Sequence, residues 1–308
     1  MAHRDPLRSL VINEVRTLKG HNSQINAVAT TPTGECLVSA SLFDGIIKVW
    51  NLTNGEEKTL KGIDGWIESV AVTDNGKYVV SASSCGIVKI YNLENGEEKM
   101  LKGHKGGVKA VVVTPKGDYA ISASDDKTLV VWDLEKGEEK LILKGHEEGV
   151  AAVTVTPNQK YVISVSNETL KVWNLDNGEV KATFKGHYER VNAVFVTSDS
   201  QYAISASDDR TVKVWDIEKE KEKTTLRGHN GWVMAVTATA DGKYVISASY
   251  DGTIRVWDLE KGENISCFTG DNSFWTCDVL PDLSQGGELI IAGDTLGKMH
   301  FLHFDKPD

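Results

Sequence analysis

The chain is poor in the residues that would mark a disulfide-stapled, membrane-spanning or nucleic-acid-binding protein. It has four cysteines in 308 residues, Cys36, Cys85, Cys267 and Cys277, and no CxxC pair among them. That argues against a disulfide framework and fits free thiols in a reducing cytoplasm. No apolar run approaches the ~18 residues of a membrane-spanning helix. Met1 to Asp5 carries Arg4 but no apolar stretch, so no signal peptide is expected. Positive charge is outnumbered, 34 Lys and Arg against 44 Asp and Glu, a net charge of −10. This disfavours nucleic acid and anionic membranes as partners, since either needs a broad basic surface, and leaves room only for a local basic patch. There is no GxxxxGK[ST] loop for nucleotide phosphates. Nor do His, Cys or carboxylate residues cluster at metal-ligand spacing, so neither a metal nor a cofactor is expected.

What is there is a repeat. A glycine recurs at Gly20, Gly62, Gly103, Gly145, Gly186, Gly228 and Gly270, with gaps of 42, 41, 42, 41, 42 and 42 residues. Five of these glycines are followed by His. Each unit continues with an alternating stretch such as Val191-Asn192-Ala193-Val194-Phe195-Val196, whose period of two and β-branched content mark a half-buried strand. A turn follows, as at Thr239-Ala240-Asp241-Gly242, then a strand ending in Ser-x-Ser. An Asp-Gly type turn leads to a third strand, which closes in Trp-Asp or Trp-Asn in five units and in Tyr91-Asn92 in the second, and an Asn-Gly or Lys-Gly turn leads to a fourth.

A period of 41 or 42 residues with Gly-His at one end and Trp-Asp at the other resembles the WD40-repeat family over residues 11–304. The resemblance implies an all-β, seven-bladed propeller with four antiparallel strands per blade around a central channel. Residues 1–10 match no repeat and are expected to be a mobile tail or an expression remnant; residues 11–308 then form a single propeller. Glu14-Val15-Arg16-Thr17-Leu18-Lys19-Gly20 matches the outer strand of later units, whereas the last unit ends at Lys298-Met299-His300-Phe301-Leu302, one strand short. Pairing the N-terminal strand into the last blade would close the ring and remove a free sheet edge. The closing segment, Phe268-Thr269-Gly270 and Ile291-Ala292-Gly293-Asp294 through His300-Phe301-Leu302, also resembles the last blade of propellers that end bacterial multidomain signalling NTPases.

Four units carry a matched quartet: His21, Ser39, Asp44, Trp50; His104, Ser122, Asp126, Trp132; His187, Ser205, Asp209, Trp215; and His229, Ser247, Asp251, Trp257. These contain the side chains of a catalytic triad. Nucleophilic catalysis needs one oriented set with an oxyanion hole and a substrate pocket, whereas four copies, each with a Trp, suit a repeated structural task. The family resemblance implies a buried hydrogen-bond network here, with either Ser of each Ser-x-Ser available to it. Unit 2 departs with Ile63, Cys85 and Tyr91 in place of His, Asp and Trp. Unit 4 keeps His146 and Trp173 but has one turn residue fewer, leaving Asn167 and Glu168. Unit 7 has Asp271, Leu296 and Leu302.

In the family, the residues three and five after the loop His, and the one before the turn Asp, point onto one rim where partners often bind. Carried over, these positions hold Phe43 in unit 1, Trp66 and Glu68 in unit 2, Trp232, Met234 and Tyr250 in unit 6, and Phe274 in unit 7. Units 6, 7, 1 and 2 are contiguous in a closed ring, so an aromatic arc is expected there. Units 3 to 5 hold Gly107, Lys109, Asp125, Gly149, Ala151, Arg190, Asn192 and Asp208 at the same positions. Aromatic residues and Met are enriched at protein interfaces. The expected function is a non-catalytic protein-interaction scaffold for a protein or peptide, or for other domains of its own native chain, as in the sensor or regulatory part of a larger signalling protein. The alternatives are an aromatic-cage receptor for a small or cationic ligand, with Glu68 beside the rings, and an enzyme with its site on the rim.

Overall fold

The computed structural model describes residues 13–306 apart from 20, 24, 32, 64 and 282–286. The tail expected over residues 1–10 lies outside them. The described residues form seven four-stranded antiparallel sheets and no helix. Blade 1 is typical: Ile25–Thr30 innermost, then Cys36–Ser41, Ile46–Asn51 and Glu57–Lys61 outermost. Blades 2 to 6 repeat this order. Each inner strand contacts the inner strands of both neighbouring blades, and the inner strand of blade 7, Phe274–Pro281, contacts that of blade 1. The protein is a closed seven-bladed β-propeller.

The N-terminal strand Asn13–Lys19 completes blade 7. It runs antiparallel to Lys298–Phe304, with Asn13 opposite His303 and Leu18 opposite Met299. The edge of the last blade is thereby covered by chain from the first repeat.

The burial pattern follows from sheets stacked face to face. The second strand of each blade is sandwiched on both sides, so Tyr161–Ser166 and Tyr244–Ser249 are buried at every residue. Outer strands such as Glu57–Lys61 bury one residue, Leu60, and leave charged neighbours in water. The core lies between blades: Trp215 of blade 5 stacks on Phe184 of blade 4 at 5.3 Å between ring centroids. Covering such a ring stabilises by roughly 2–3 kcal/mol through apolar burial. At the first hairpin of blades 1 to 6 a buried threonine fixes the turn. Thr114 Oγ1, for example, accepts the amide of Tyr119 at 3.1 Å, and Thr31, Thr73, Thr156, Thr197 and Thr239 repeat the bond. None of the four cysteines forms a disulfide: Cys36 is half-buried, Cys85 and Cys267 are exposed and Cys277 is buried.

Candidate binding face and the network beneath it

The glycine that opens repeats 3, 5 and 6 is required by close approach. A Cβ on Gly103 would lie 2.7 Å from the Trp132 six-membered ring, and Gly186 and Gly228 meet Trp215 and Trp257 in the same way. The Trp therefore braces the loop from beneath, and the following His turns inward.

In blades 1, 3, 5 and 6 that His enters a chain of hydrogen bonds. His187 Nε2 lies 2.7 Å from Ser205 Oγ, Trp215 Nε1 donates to the same oxygen at 2.8 Å, and His187 Nδ1 lies 2.8 Å from Asp209 Oδ2. The other three sets repeat this within a few tenths of an ångström. An indole N–H only donates and a carboxylate only accepts. The direction is therefore fixed: Trp N–H to Ser, Ser O–H to His Nε2, His Nδ1–H to Asp. The first Ser of each Ser-x-Ser is the member. The second does a different job: Ser124, Ser207 and Ser249 donate to the Gly106, Glu189 and Trp232 carbonyls and tie down the loop. Burial alone would raise the Asp126 pKa, but bonds from the Thr128 hydroxyl, the Lys105 amide and His104 outweigh it and hold it at about 2. Asp209 and Asp251 are likewise held below the usual carboxylate range against burial, with their His and Thr partners the main cause. Ser39, Ser122, Ser205 and Ser247 are wholly buried. Each oxygen is already engaged on both sides, so no substrate reaches these hydroxyls.

Three blades differ. In blade 2, Tyr91 O–H donates to the Lys61 carbonyl at 3.0 Å, and burial pushes its pKa up to about 12. Blade 4 keeps the Trp173–Ser164–His146 part and lacks the carboxylate. Blade 7 builds a substitute from residues outside the repeat pattern. Asp294, two residues before the expected position, lies 3.2 Å from His300 Nε2, accepts Asn272 Nδ2 at 3.2 Å, and accepts the Leu296 and Lys298 amides at 2.9 Å.

Above this network lies the rim. Residue five after the loop His sits at a register shift in the inner strand of blades 1, 2, 3, 5 and 6: Asn26, Glu68, Lys109, Asn192 and Met234. Bulges of this kind re-aim a side chain away from the regular ladder. Several of these residues link neighbouring blades. Asn26 Nδ2 donates to the Glu68 carbonyl at 2.7 Å, Lys109 Nζ to Glu68 Oε1 at 2.9 Å, and Asn192 Nδ2 to the Val233 carbonyl at 3.0 Å. Glu68 and Asp278, inner-strand acids without an evident partner in the sequence, both have one. Glu68 pairs with Lys109, and Asp278 accepts Thr30 Oγ1 of blade 1 at 2.7 Å.

The aromatic positions divide into two groups of ring contacts. Trp232 lies 5.6 Å from Tyr250, and Tyr250 6.4 Å from Trp275. Phe43 lies 5.7 Å from Trp66, edge to face. Phe43 (60% exposed), Trp66 (53%), Trp232 (49%) and Tyr250 (49%) each present about half or more of their surface to solvent, and Met234 is half-buried. Phe274 is the correction. It is fully buried, 5.2 Å from His300, and pairs with Asp294 as Val233 pairs with Ser249. The blade 7 loop is one residue shorter than in blade 6, so a fixed count from Asp271 overshoots by one. Trp275 stands at the bulge, where Met234 stands in blade 6. The signal was present in the sequence, since the buried position preceding each bulge is apolar, as in Ile25, Ile67, Val108 and Val191. Leu296 on the blade 7 turn and Tyr188 on the blade 5 loop are also exposed and fell outside the chosen positions.

Among the described residues, no group of three or more His, Cys, Asp or Glu side chains could hold a metal ion. No curated protein matches the sequence. A family model described as "WD domain, G-beta repeat" matches residues 12–51, 55–92, 96–133, 137–174, 178–216 and 220–258. Each match runs from an outer strand to a closing Trp or Tyr, and the divergent seventh blade lies beyond the last. Propellers of this family are typically protein-interaction scaffolds and are generally non-enzymatic. With six repeats matched and a seventh blade completing the ring, the chain belongs to the WD40-repeat family.

Proposed function

We propose that the chain is a non-catalytic scaffold that binds a protein or peptide on the rim of blades 6, 7, 1 and 2. The observation that carries this is the concentration of exposed rings, Trp232 and Tyr250 on blade 6, Phe43 on blade 1 and Trp66 on blade 2, with half-buried Trp275 of blade 7 against Tyr250. The equivalent surface of blades 3 to 5 holds Lys109, Asp125, Arg190 and Asp208. Exposed aromatic clusters lose water on docking and concentrate interface energy. The cationic-cage alternative calls on Glu68 as counter-charge, and that carboxylate is already held by Lys109 at 2.9 Å. The likeness of residues 268–302 to closing blades of signalling NTPases supports a sensor or regulatory role, with other domains of the native chain among the candidate partners. Four cysteines outside any disulfide support a cytoplasmic setting.

The reading is tested by selecting peptides from a random library on the intact protein and mapping each binder by amide chemical-shift perturbation. Perturbations gathering on the loops around Trp66, Trp232, Tyr250 and Trp275 are expected. Gathering around Lys109 and Asp208 instead would reject this face.

A further inference from the structure

Blade 4 has lost one turn residue, and what it leaves behind is a pocket. In blade 3 the turn from Ser124 to Thr128 supplies Asp126, whose Oδ2 meets His104 Nδ1 at 2.9 Å and the Lys105 amide at 2.8 Å. In blade 4, Ser166 pairs directly with Thr169 across the two-residue loop Asn167-Glu168, and no carboxylate reaches His146. The remainder of the chain of bonds is intact: Trp173 Nε1 donates to Ser164 Oγ at 2.7 Å, and Ser164 Oγ lies 2.7 Å from His146 Nε2. With Ser164 accepting from the indole and donating to Nε2, the imidazole hydrogen sits on Nδ1. That nitrogen is buried and has no hydrogen-bond partner, and the residue is 7% exposed.

His146 lines a pocket of about 230 Å³ shared with Thr169, Lys171, Thr183 and Lys185. A water molecule takes roughly 30 Å³ of the liquid, so the space suits an organic group of a few heavy atoms. Lys171 Nζ is held toward it by Thr183 Oγ1 at 3.1 Å. Burial, helped by the Lys171 charge, pulls the His146 pKa down to about 4, so the imidazole is a neutral donor at pH 7. Glu147, Glu148 and Glu168 also line the pocket, are exposed, and oppose multiply charged anions.

We propose that this pocket is a carboxylate-binding site, in which the carboxylate of a small organic acid or of a peptide accepts His146 Nδ1–H and pairs with Lys171, taking the place that Asp126, Asp209 and Asp251 hold in their own blades. The site is separate from the aromatic rim and stands whether or not a partner docks there.

The probes are sodium formate, acetate and propionate at constant ionic strength and pH 7, read by the His146 ring resonances of histidine-labelled protein. A saturable shift in the millimolar range is expected. Sodium sulfate and sodium chloride should give none. Lys171→Met should weaken acetate by about tenfold, the usual worth of one charge-assisted bond. Replacing Asn167-Glu168 by the blade 3 turn sequence Asp-Asp-Lys should abolish binding, because the chain's own carboxylate then fills the place. A peptide that shifts His146 with a free C-terminus and not as its amide assigns the site to chain ends. A response to the free acids alone assigns it to small metabolites. No shift with any acid or peptide overturns the proposal, as does an equal shift with sulfate or chloride (an adventitious ion only). Unchanged acetate binding in the Lys171→Met or rebuilt-turn protein does the same.

Discussion

Asp294 Oδ2 lies 3.2 Å from His300 Nε2, and this pair does in blade 7 what Asp251 and His229 do in blade 6. The chemistry is conserved in kind while the residues exchange strands. The histidine now comes from the third strand and the carboxylate from the end of the second. Bonds from His300 and from the Lys298, Leu296 and Asn272 donors hold the Asp294 pKa low against burial. Asp294→Ala should therefore destabilise the closing blade by roughly 1–3 kcal/mol, the cost of leaving buried donors unpaired. Differential scanning calorimetry is the check. A melting temperature equal to wild type would show that the pair contributes nothing.

The quartets of blades 1, 3, 5 and 6 are expected to be purely structural. Ser205→Ala removes the acceptor of the Trp215 indole and the donor to His187 together, and both partners are buried. A loss of roughly 1–3 kcal/mol in urea unfolding is expected, with partner binding retained. Esterase or protease activity that disappeared in Ser205→Ala at unchanged stability would mean the network is catalytic after all.

Acid should destabilise the protein in two steps. His146, with its pKa lowered to about 4, binds its proton less readily folded than unfolded, so stability falls as pH drops from 6.5 toward 4. That group accounts for about 3 kcal/mol at most. Asp126, lowered to about 2, acts in the same direction between its ordinary 3.8 and 2, where the unfolded chain takes up the proton first. Chemical unfolding measured across pH should show His146→Asn shrinking the upper step, to which His229, its pKa lowered by burial, also contributes, and leaving the lower one. An unaltered slope between pH 6.5 and 4 in that variant would locate the upper step elsewhere.

Ring closure by Asn13–Lys19 predicts that deleting residues 1–19 uncovers the Lys298–Phe304 strand. The truncated protein should aggregate or form larger species, because an uncovered strand is a template for pairing. Size-exclusion chromatography with light scattering would show this. A truncated chain that stays monomeric with wild-type melting would remove closure from the account of stability.

The fold was legible because a 41–42-residue period bounded by Gly-His and Trp-Asp resembles the WD40 repeat, and because strand 13–19 matches an outer strand. The quartets were legible as a pattern, though the sequence left both serines of each Ser-x-Ser open. Only the geometry separates Ser205, which faces His187 and Trp215, from Ser207, which ties the loop carbonyl of Glu189. The misreading of Phe274 has a simple origin. Counting from a loop residue assumes constant loop length, whereas strand register is set by which side chains must be buried. Phe274 fills an inter-blade site and Trp275 takes the bulge. The Asp294–His300 pair and the unpartnered Nδ1 of His146 arise where units depart from the repeat. A repeat pattern shows only that something is missing there, not what replaces it.

The partner face makes the sharpest prediction, because two halves of one rim differ in chemistry. Trp232 and Trp66 are each about half exposed and each contact a second exposed ring, Tyr250 and Phe43. Truncating either should not disturb the core, since neither side chain is buried in it. Interface energy concentrates in a few such anchors, at about 2 kcal/mol or more each on truncation. Trp232→Ala and Trp66→Ala should therefore weaken a bound protein or peptide by more than about tenfold, with melting temperature unchanged. Trp275→Ala should act in the same direction through its contact with Tyr250. Lys109→Ala and Asp208→Ala should matter less: Lys109 is engaged with Glu68, and Asp208 with Asn192 at 2.7 Å. Titration calorimetry of one selected peptide against the five variants decides the matter. If Lys109→Ala and Asp208→Ala dominate while all three Trp variants bind as wild type, the partner sits on blades 3 to 5, and the exposed rings serve only to pack the loops that carry them.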